Sequence, residues 1–312
     1  MRPVRVLVAA VLVVMVAGSV LGAACVGSRS EATWGMAFDG THIWVAILWD
    51  DTVAKLRASD GSLAGRYSVG EEPTGVAFDG ENIWVTNWND NTLTELRASD
   101  GSLLGTYSVG SAPDGITFDG VHIWVANWSD CTVTKLTASD GSLVGTYAVS
   151  GSPGEVAFDG SSIWVTADRT NSVVKLNASD GALVGTYAVG VRPNGITFDG
   201  ANIWVTNYLS GTVTKLSASD GTLIGTYDVG GKPKGVAFDG TNVWVTDYSG
   251  GRVIKLSASD GSRLGTYRVG PHPIAVAFDG TDIWVSSYGS SNVTKLDASD
   301  GSTLGTYDTG TT

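Results

Sequence analysis

Two cysteines in 312 residues leave no material for a disulfide framework, and the three histidines are scattered, with no cluster of metal ligands around them. Basic residues are scarce too. Lys and Arg number 19 against 31 Asp and Glu, and the net charge of −12 speaks against nucleic acid as a partner and against a basic membrane-binding face. A long apolar run occurs once, over residues 6–24. Beyond it the local signals are those of strands, and no motif pairs a nucleophile with a base.

What fills the chain is one unit written seven times. Phe38-Asp39-Gly40 recurs at Phe78, Phe118, Phe158, Phe198, Phe238 and Phe278, a spacing of 40 residues without insertion or deletion. A period of this size points to a propeller or a solenoid. In the copy that starts at Gly195, two short β-branched and aromatic runs flank the tight-turn sequence Asp199-Gly200-Ala-Asn202. A third run follows at 212–216, and Ala218-Ser-Asp-Gly221 reverses the chain into a fourth at 223–229. The one connection that is not a hairpin surrounds Pro233, which cannot donate to a ladder. Four antiparallel strands span roughly 15 Å, a distance a five- or six-residue loop crosses from the outer strand to the next inner one.

Each repeat is therefore expected to be one blade of an all-β, seven-bladed β-propeller with four antiparallel strands per blade. The blades are 31–70, 71–110, 111–150, 151–190, 191–230, 231–270 and 271–310. Because the long connectors coincide with the repeat boundaries, no strand should be exchanged where the ring closes. Phe38, Trp44 and Tyr67 recur in all seven units as packing columns. Gly65, beside the tyrosine, is read as making room for a neighbouring blade, with Val53, Leu56 and Leu63 completing the core.

Residues 1–24 have the form of an export signal, with Arg2 and Arg5 ahead of the apolar run and small residues at its end. Leu21-Gly-Ala-Ala-Cys25 loosely matches the pattern cut by lipoprotein signal peptidase, with Cys25 as the acylated residue. A plain signal peptide and an uncleaved anchor are the other two readings. The expected location is outside the cytoplasm: periplasmic, secreted or on the cell surface as a lipoprotein, touching membrane only through this segment. Cys131 is read as an incidental turn residue.

Ile-Trp-Val-Thr-Asn at 83–87 and 203–207, followed in the latter copy by Thr-Val-Thr-Lys-Leu at 212–216 and in both closing in Val-Gly-x-x-Pro-x-Gly, resembles the YVTN family of propeller repeats. The chain is also similar to the propeller of the virginiamycin B lyase group. Both likenesses span 31–310 and imply the fold more than an activity. The lyase resemblance implies a histidine in a Gly-Pro-His loop and a glutamate at the end of the next strand. Gly270-Pro271-His272 matches the first part. Ser287 stands where the glutamate is expected, and no copy of that column holds a glutamate.

In an antiparallel meander the inter-blade loops share one rim with the turns between second and third strands; the other turns share the opposite rim. The opposite rim is nearly invariant. Its Asp39 and Asp60 columns are read as turn chemistry and not as calcium ligands, and His42 and His122 as turn residues. At the first rim the aromatic residues outside the structural columns are Trp34, Trp49, Trp88, Trp128, Tyr208, Tyr248 and Tyr288, all expected in loops. They are read either as caps on the blades or as a stacking surface for a small molecule, a glycan or a protein. Charged departures gather in the loops of the same rim: Glu155, Asp168, Arg169, Arg192, Lys232, Lys234 and His272.

The leading expectation is an exported, non-enzymatic binding propeller with no cofactor and no metal. Its ligand would be held by Trp88, Trp128, Tyr208, Tyr248, Tyr288, Arg169, Arg192 and His272. The alternatives are a lyase using His272 with Glu155 or Asp168, and a structural envelope protein.

Overall fold

The computed structural model describes residues 32–310, so the expected signal segment and Cys25 lie outside the described residues. Seven four-stranded antiparallel sheets follow one another along the chain, each with its strands in sequence order and each drawn from one repeat. In the first blade the strands are Thr33–Phe38, His42–Ile47, Thr52–Arg57 and Leu63–Ser68. First strands of neighbouring blades contact one another, the last blade against the first included, so they line a central channel. No strand is exchanged at closure.

The Asp-Gly turn sets the geometry of each blade. Asp39 Oδ1 accepts the backbone N–H groups of Thr41 and His42 at 2.8 and 2.6 Å, while Oδ2 accepts the indole N–H of Trp44 at 2.8 Å. The same indole bond recurs in the other six blades at 2.7 Å. One carboxylate thus closes the turn and fixes the largest side chain of the core, which supports the turn-chemistry reading of this column. Gly40 has φ of 92° with open space where a Cβ would stand, so its conformation, and not crowding, demands glycine.

Each tryptophan of the Trp44 column is fully buried. Tyr67 lies against Trp44 with ring centroids 5.4 Å apart, and the far side of the tyrosine is covered by Gly101 in the third turn of the next blade. A Cβ on Gly101 would fall inside the Tyr67 ring, and its φ of 74° is unfavourable to other residues. The same contact joins Gly61 to Tyr307 and so closes the ring. Gly65 has a different role from the one expected: a Cβ there would stand 2.6 Å from the hydroxyl of its own blade's Tyr67, so the glycine makes room within the blade. Leu63 also departs from expectation, being 41 % exposed on the outermost strand, with its counterparts in blades 2 to 5 still more exposed.

One apolar cluster fills each of the seven interfaces. Between blades 7 and 1 it joins Trp284 and Val293 to Ile43, Val45 and Leu56. Polar bonds cross the same seam: Ser287 N–H donates to Thr33 Oγ1 at 2.8 Å, and Ser286 Oγ donates to the Trp34 carbonyl at 2.6 Å. Lys295 Nζ reaches the Ala58 carbonyl at 2.8 Å.

Trp164→Ala is expected to cost about 3–5 kcal/mol, seen as a fall in the denaturant midpoint. Leu183→Ala, at a site 64 % exposed, should stay within about 0.5 kcal/mol. An unchanged midpoint for Trp164→Ala would remove the indole from the interface.

Candidate functional site

The rim that carries the inter-blade loops is stitched by a repeated bond. The backbone N–H of Trp88, Trp128, Tyr208, Tyr248 and Tyr288 donates to the carbonyl of Glu72, Ala112, Arg192, Lys232 and His272 respectively, at 2.8–3.0 Å. The column just before these rings clamps the loops from below. Asn87 Oδ1 accepts the Gly70 N–H at 3.1 Å while its Nδ2 donates to Thr92 and Thr94, and Asn127 and Asn207 repeat the arrangement. Ser287 occupies this column in the last blade. It is buried, and its hydroxyl has no partner among the described residues. The position in which the lyase likeness implies a glutamate is thus a loop clamp in the four sister blades that carry Asn or Asp there.

All five residues of the column are half-buried. They form arcs. Trp88 and Trp128 stand 5.8 Å apart, and the Arg169 guanidinium lies 4.9 Å from the Trp128 centroid. Tyr208 and Tyr248 are 6.2 Å apart, Tyr248 and His272 4.7 Å, and Tyr288 meets Trp34 edge-on at 5.8 Å across the closing seam. Blade 4 interrupts the aromatic series. Its turn is a short 3₁₀ segment, Asp168–Thr170, and Asp168 binds Arg192 through Nε at 3.0 Å and Nη2 at 3.2 Å. Lys232 in turn sits 5.4 Å from the Tyr208 centroid.

A pocket of about 470 Å³ opens at the channel mouth, walled by Trp34, Trp49, Tyr208, Tyr248 and Tyr288 with Asp168, Arg192 and Lys234. Trp88, Trp128 and Arg169 lie outside it, on the arc of blades 2 to 4. His272 stacks on the back of the pocket wall, with no carboxylate in ion-pair reach among the described residues. Trp34, Lys234 and Glu155 sit on first strands and not in the loops where the sequence reading placed them.

Below the pocket a second cavity of about 150 Å³ continues into the channel and shares Trp34, Asn194 and Lys234 with it. Asp114 and Glu155 face this cavity. The Lys234 ammonium lies 4.0 Å from the Trp34 centroid. Protein surrounds the three charged groups, yet each keeps some surface on the channel. Burial, and after it the charge of Asp114, pushes the Glu155 carboxyl up to about 8. Burial raises Asp114 as well and brings Lys234 down to about 8, the two carboxylates opposing the latter shift.

Asp114 and Asn194 went unnoticed in the sequence. The column they share reads Trp34, Thr74, Asp114, Gly154, Asn194, Lys234 and Ile274, seven different residues at one place in an otherwise uniform repeat. That variation is a legible signal. Among the described residues no three His, Cys, Asp or Glu side chains gather to hold a metal ion.

A family model described as "Outer membrane protein assembly factor BamB" matches residues 119–269. No curated protein matches the sequence significantly. Among solved structures the chain is similar to hydrazine synthase from Kuenenia stuttgartiensis, with a TM-score of 0.79 and 18 % identity over 91 % of this chain and 100 % of that one. It is similar to a streptogramin B lyase, with a TM-score of 0.73 and 18 % identity over 83 % and 91 % of the two chains. A functionally unknown protein from Desulfotomaculum acetoxidans DSM 771 follows at a TM-score of 0.70 and 16 % identity over 82 % and 92 %. At such identities the likeness is one of fold, and it places this chain among the β-propellers.

Proposed function

We propose that this protein is a binding propeller that takes a ligand with flat apolar faces, a glycan or a ring-containing small molecule, in the rim pocket over the channel. The observation that carries the reading is the pocket itself. Five aromatic residues wall one mouth, and the Arg192 side chain, held by Asp168, and Lys234 add charge to the same lining. The partial match to an assembly factor is compatible with a role in binding. Export rests on the form of residues 1–24, with Cys25 as the lipid attachment point if the segment is cut by lipoprotein signal peptidase.

A lyase reading keeps two supports, the likeness to the streptogramin B lyase structure and the Gly270-Pro271-His272 loop. The stacking of His272 on Tyr248, away from any carboxylate among the described residues, weighs toward binding. Incubation with a streptogramin B substrate, followed by mass analysis, decides between them: ring opening that is lost in His272→Ala would establish the enzyme.

The binding reading is tested by following tryptophan fluorescence while soluble glycans and aromatic compounds are titrated. Trp34 and Trp49 in the wall supply the signal. Tyr208→Ala combined with Tyr248→Ala should leave the fold intact and weaken a binding ligand by about 1–3 kcal/mol per stacked ring. Trp88→Ala with Trp128→Ala, on the other arc, should change binding little. Equal losses from both pairs, or unfolding of the first, would count against the pocket.

The channel carboxylate makes a separate, pH-dependent prediction. Because the folded Glu155 carboxyl titrates at about 8, above its ordinary 4.5, the folded state favours the proton. Its contribution to stability is complete below the ordinary value and is lost as the pH rises through about 8. Glu155→Gln should therefore match the wild type in acid and gain on it as the solution becomes alkaline, read from the difference in Tm across that range. A difference that does not change with pH would mean a fully solvated carboxylate.

A further inference from the structure

One position breaks the most regular polar contact in the ring. Six blades carry a lysine in the third strand: Lys55, Lys135, Lys175, Lys215, Lys255 and Lys295. Each sends its ammonium into the next blade, to the carbonyl of Ala98, Ala178, Ala218, Ala258, Ala298 or Ala58, at 2.6–2.8 Å. Four of them also reach the following serine carbonyl within 3.4 Å, as Lys55 does with Ser99. The aspartate of the first turn stands nearby, 3.9 Å from the ammonium in two blades.

Blade 2 has Glu95 here. Glu95 as a residue is 6 % exposed, and its carboxylate accepts Asn82 Nδ2 at 2.9 Å and the Tyr107 hydroxyl at 2.7 Å, both neutral donors. The carbonyls of Ala138 and Ser139 across the interface are the counterparts of those that receive an ammonium in the six sister blades, and no donor among the described residues reaches them. Burial, followed by the neighbouring Asp79 and Glu81, raises the pKa of Glu95 against the pull of its two hydrogen bonds.

A cleft of about 660 Å³ opens at this interface, on the rim opposite the aromatic pocket, and Asp79, Glu81, Glu95, Ala138 and Ser139 line it. Arg97, also in the lining, turns its guanidinium to Asp100 and Ser102.

We propose that the cleft between blades 2 and 3 is a binding site for a primary alkylammonium group, which supplies from outside the cation that six sister interfaces draw from their own lysine. Two backbone carbonyls and the Glu95 carboxylate offer an ammonium an acceptor for each of its three N–H groups. A divalent metal is a poorer fit. Asp79 already accepts N–H groups on both oxygens, from Glu81, Asn82 and Trp84, and no trio of metal-binding side chains gathers among the described residues.

The probe is n-butylammonium chloride, which is the lysine side chain without its backbone, titrated into the full chain and followed by amide chemical shifts. Saturable shifts confined to Glu95, Ala138, Ser139 and their neighbours are expected. Glu95→Lys restores the residue of the six sister blades and should abolish them. Glu95→Gln keeps one acceptor oxygen for Asn82 and presents its NH2 to the Tyr107 hydroxyl, which turns to accept, and it should weaken binding by about tenfold or more through loss of the charge; it carries the test if Glu95→Lys does not fold. A short peptide with one internal lysine separates the sources: tighter binding than butylammonium points to a protein partner, and equal or weaker binding to a free amine. The proposal is overturned if sodium, calcium or tetramethylammonium at equal ionic strength gives the same shifts. It is equally overturned if Glu95→Lys still responds.

Discussion

The indole of each blade is held at two levels at once. Its N–H is fixed by the aspartate of the turn between the first and second strands, and its face is covered by a tyrosine that in turn rests on a glycine of the next blade. Local turn chemistry and inter-blade packing therefore share one side chain. If the turn is misplaced, the ring loses its anchor; if the next blade is missing, the tyrosine loses its cover. Seven repetitions of this contact, the last between Tyr307 and Gly61, run around the whole ring, and its apolar core is divided in the same way into seven clusters, one per interface.

Much of this was legible in the sequence, because a 40-residue period and Asp-Gly turns constrain strands and topology together. The all-β class, seven blades of four strands and closure without exchange follow from the repeats alone. What could not be read was the direction of individual side chains. Gly65 stands beside large rings in the sequence, yet only the fold shows that the ring it accommodates belongs to its own strand. Leu63 has the composition of a core residue, but the outermost strand has no neighbour to cover it. The third-strand lysines look like solvated charges until their ammonium groups are seen reaching the next blade. Trp34, Glu155 and Lys234 were assigned to loops because the first strand begins at, not after, the residue aligned with Pro73. A register irregularity there separates Pro73 from Val76 in the pairing with the second strand.

The site follows from the same regularity. Where six or seven copies agree, the residue serves the blade; where they part, some other demand has been met. The channel-facing column holds seven different residues, the rim column changes from tryptophan to aspartate to tyrosine around the ring, and one lysine in seven is a glutamate. Repetition thus turns a single chain into its own comparison set, and it directs attention to Asp114, Lys234 and Glu95 without any related sequence.

The aromatic pocket also lies on a particular line. Trp34 belongs to the first blade and Tyr288 to the last, and they touch across the one interface that no stretch of the described residues crosses. Among the described residues that seam has an apolar cluster like the others but no connecting loop, so parting of the blades there meets the noncovalent contacts alone. A molecule lodged between those two rings would act as a clasp on the open end of the ring, and its occupancy would be felt as resistance to mechanical opening far from the pocket.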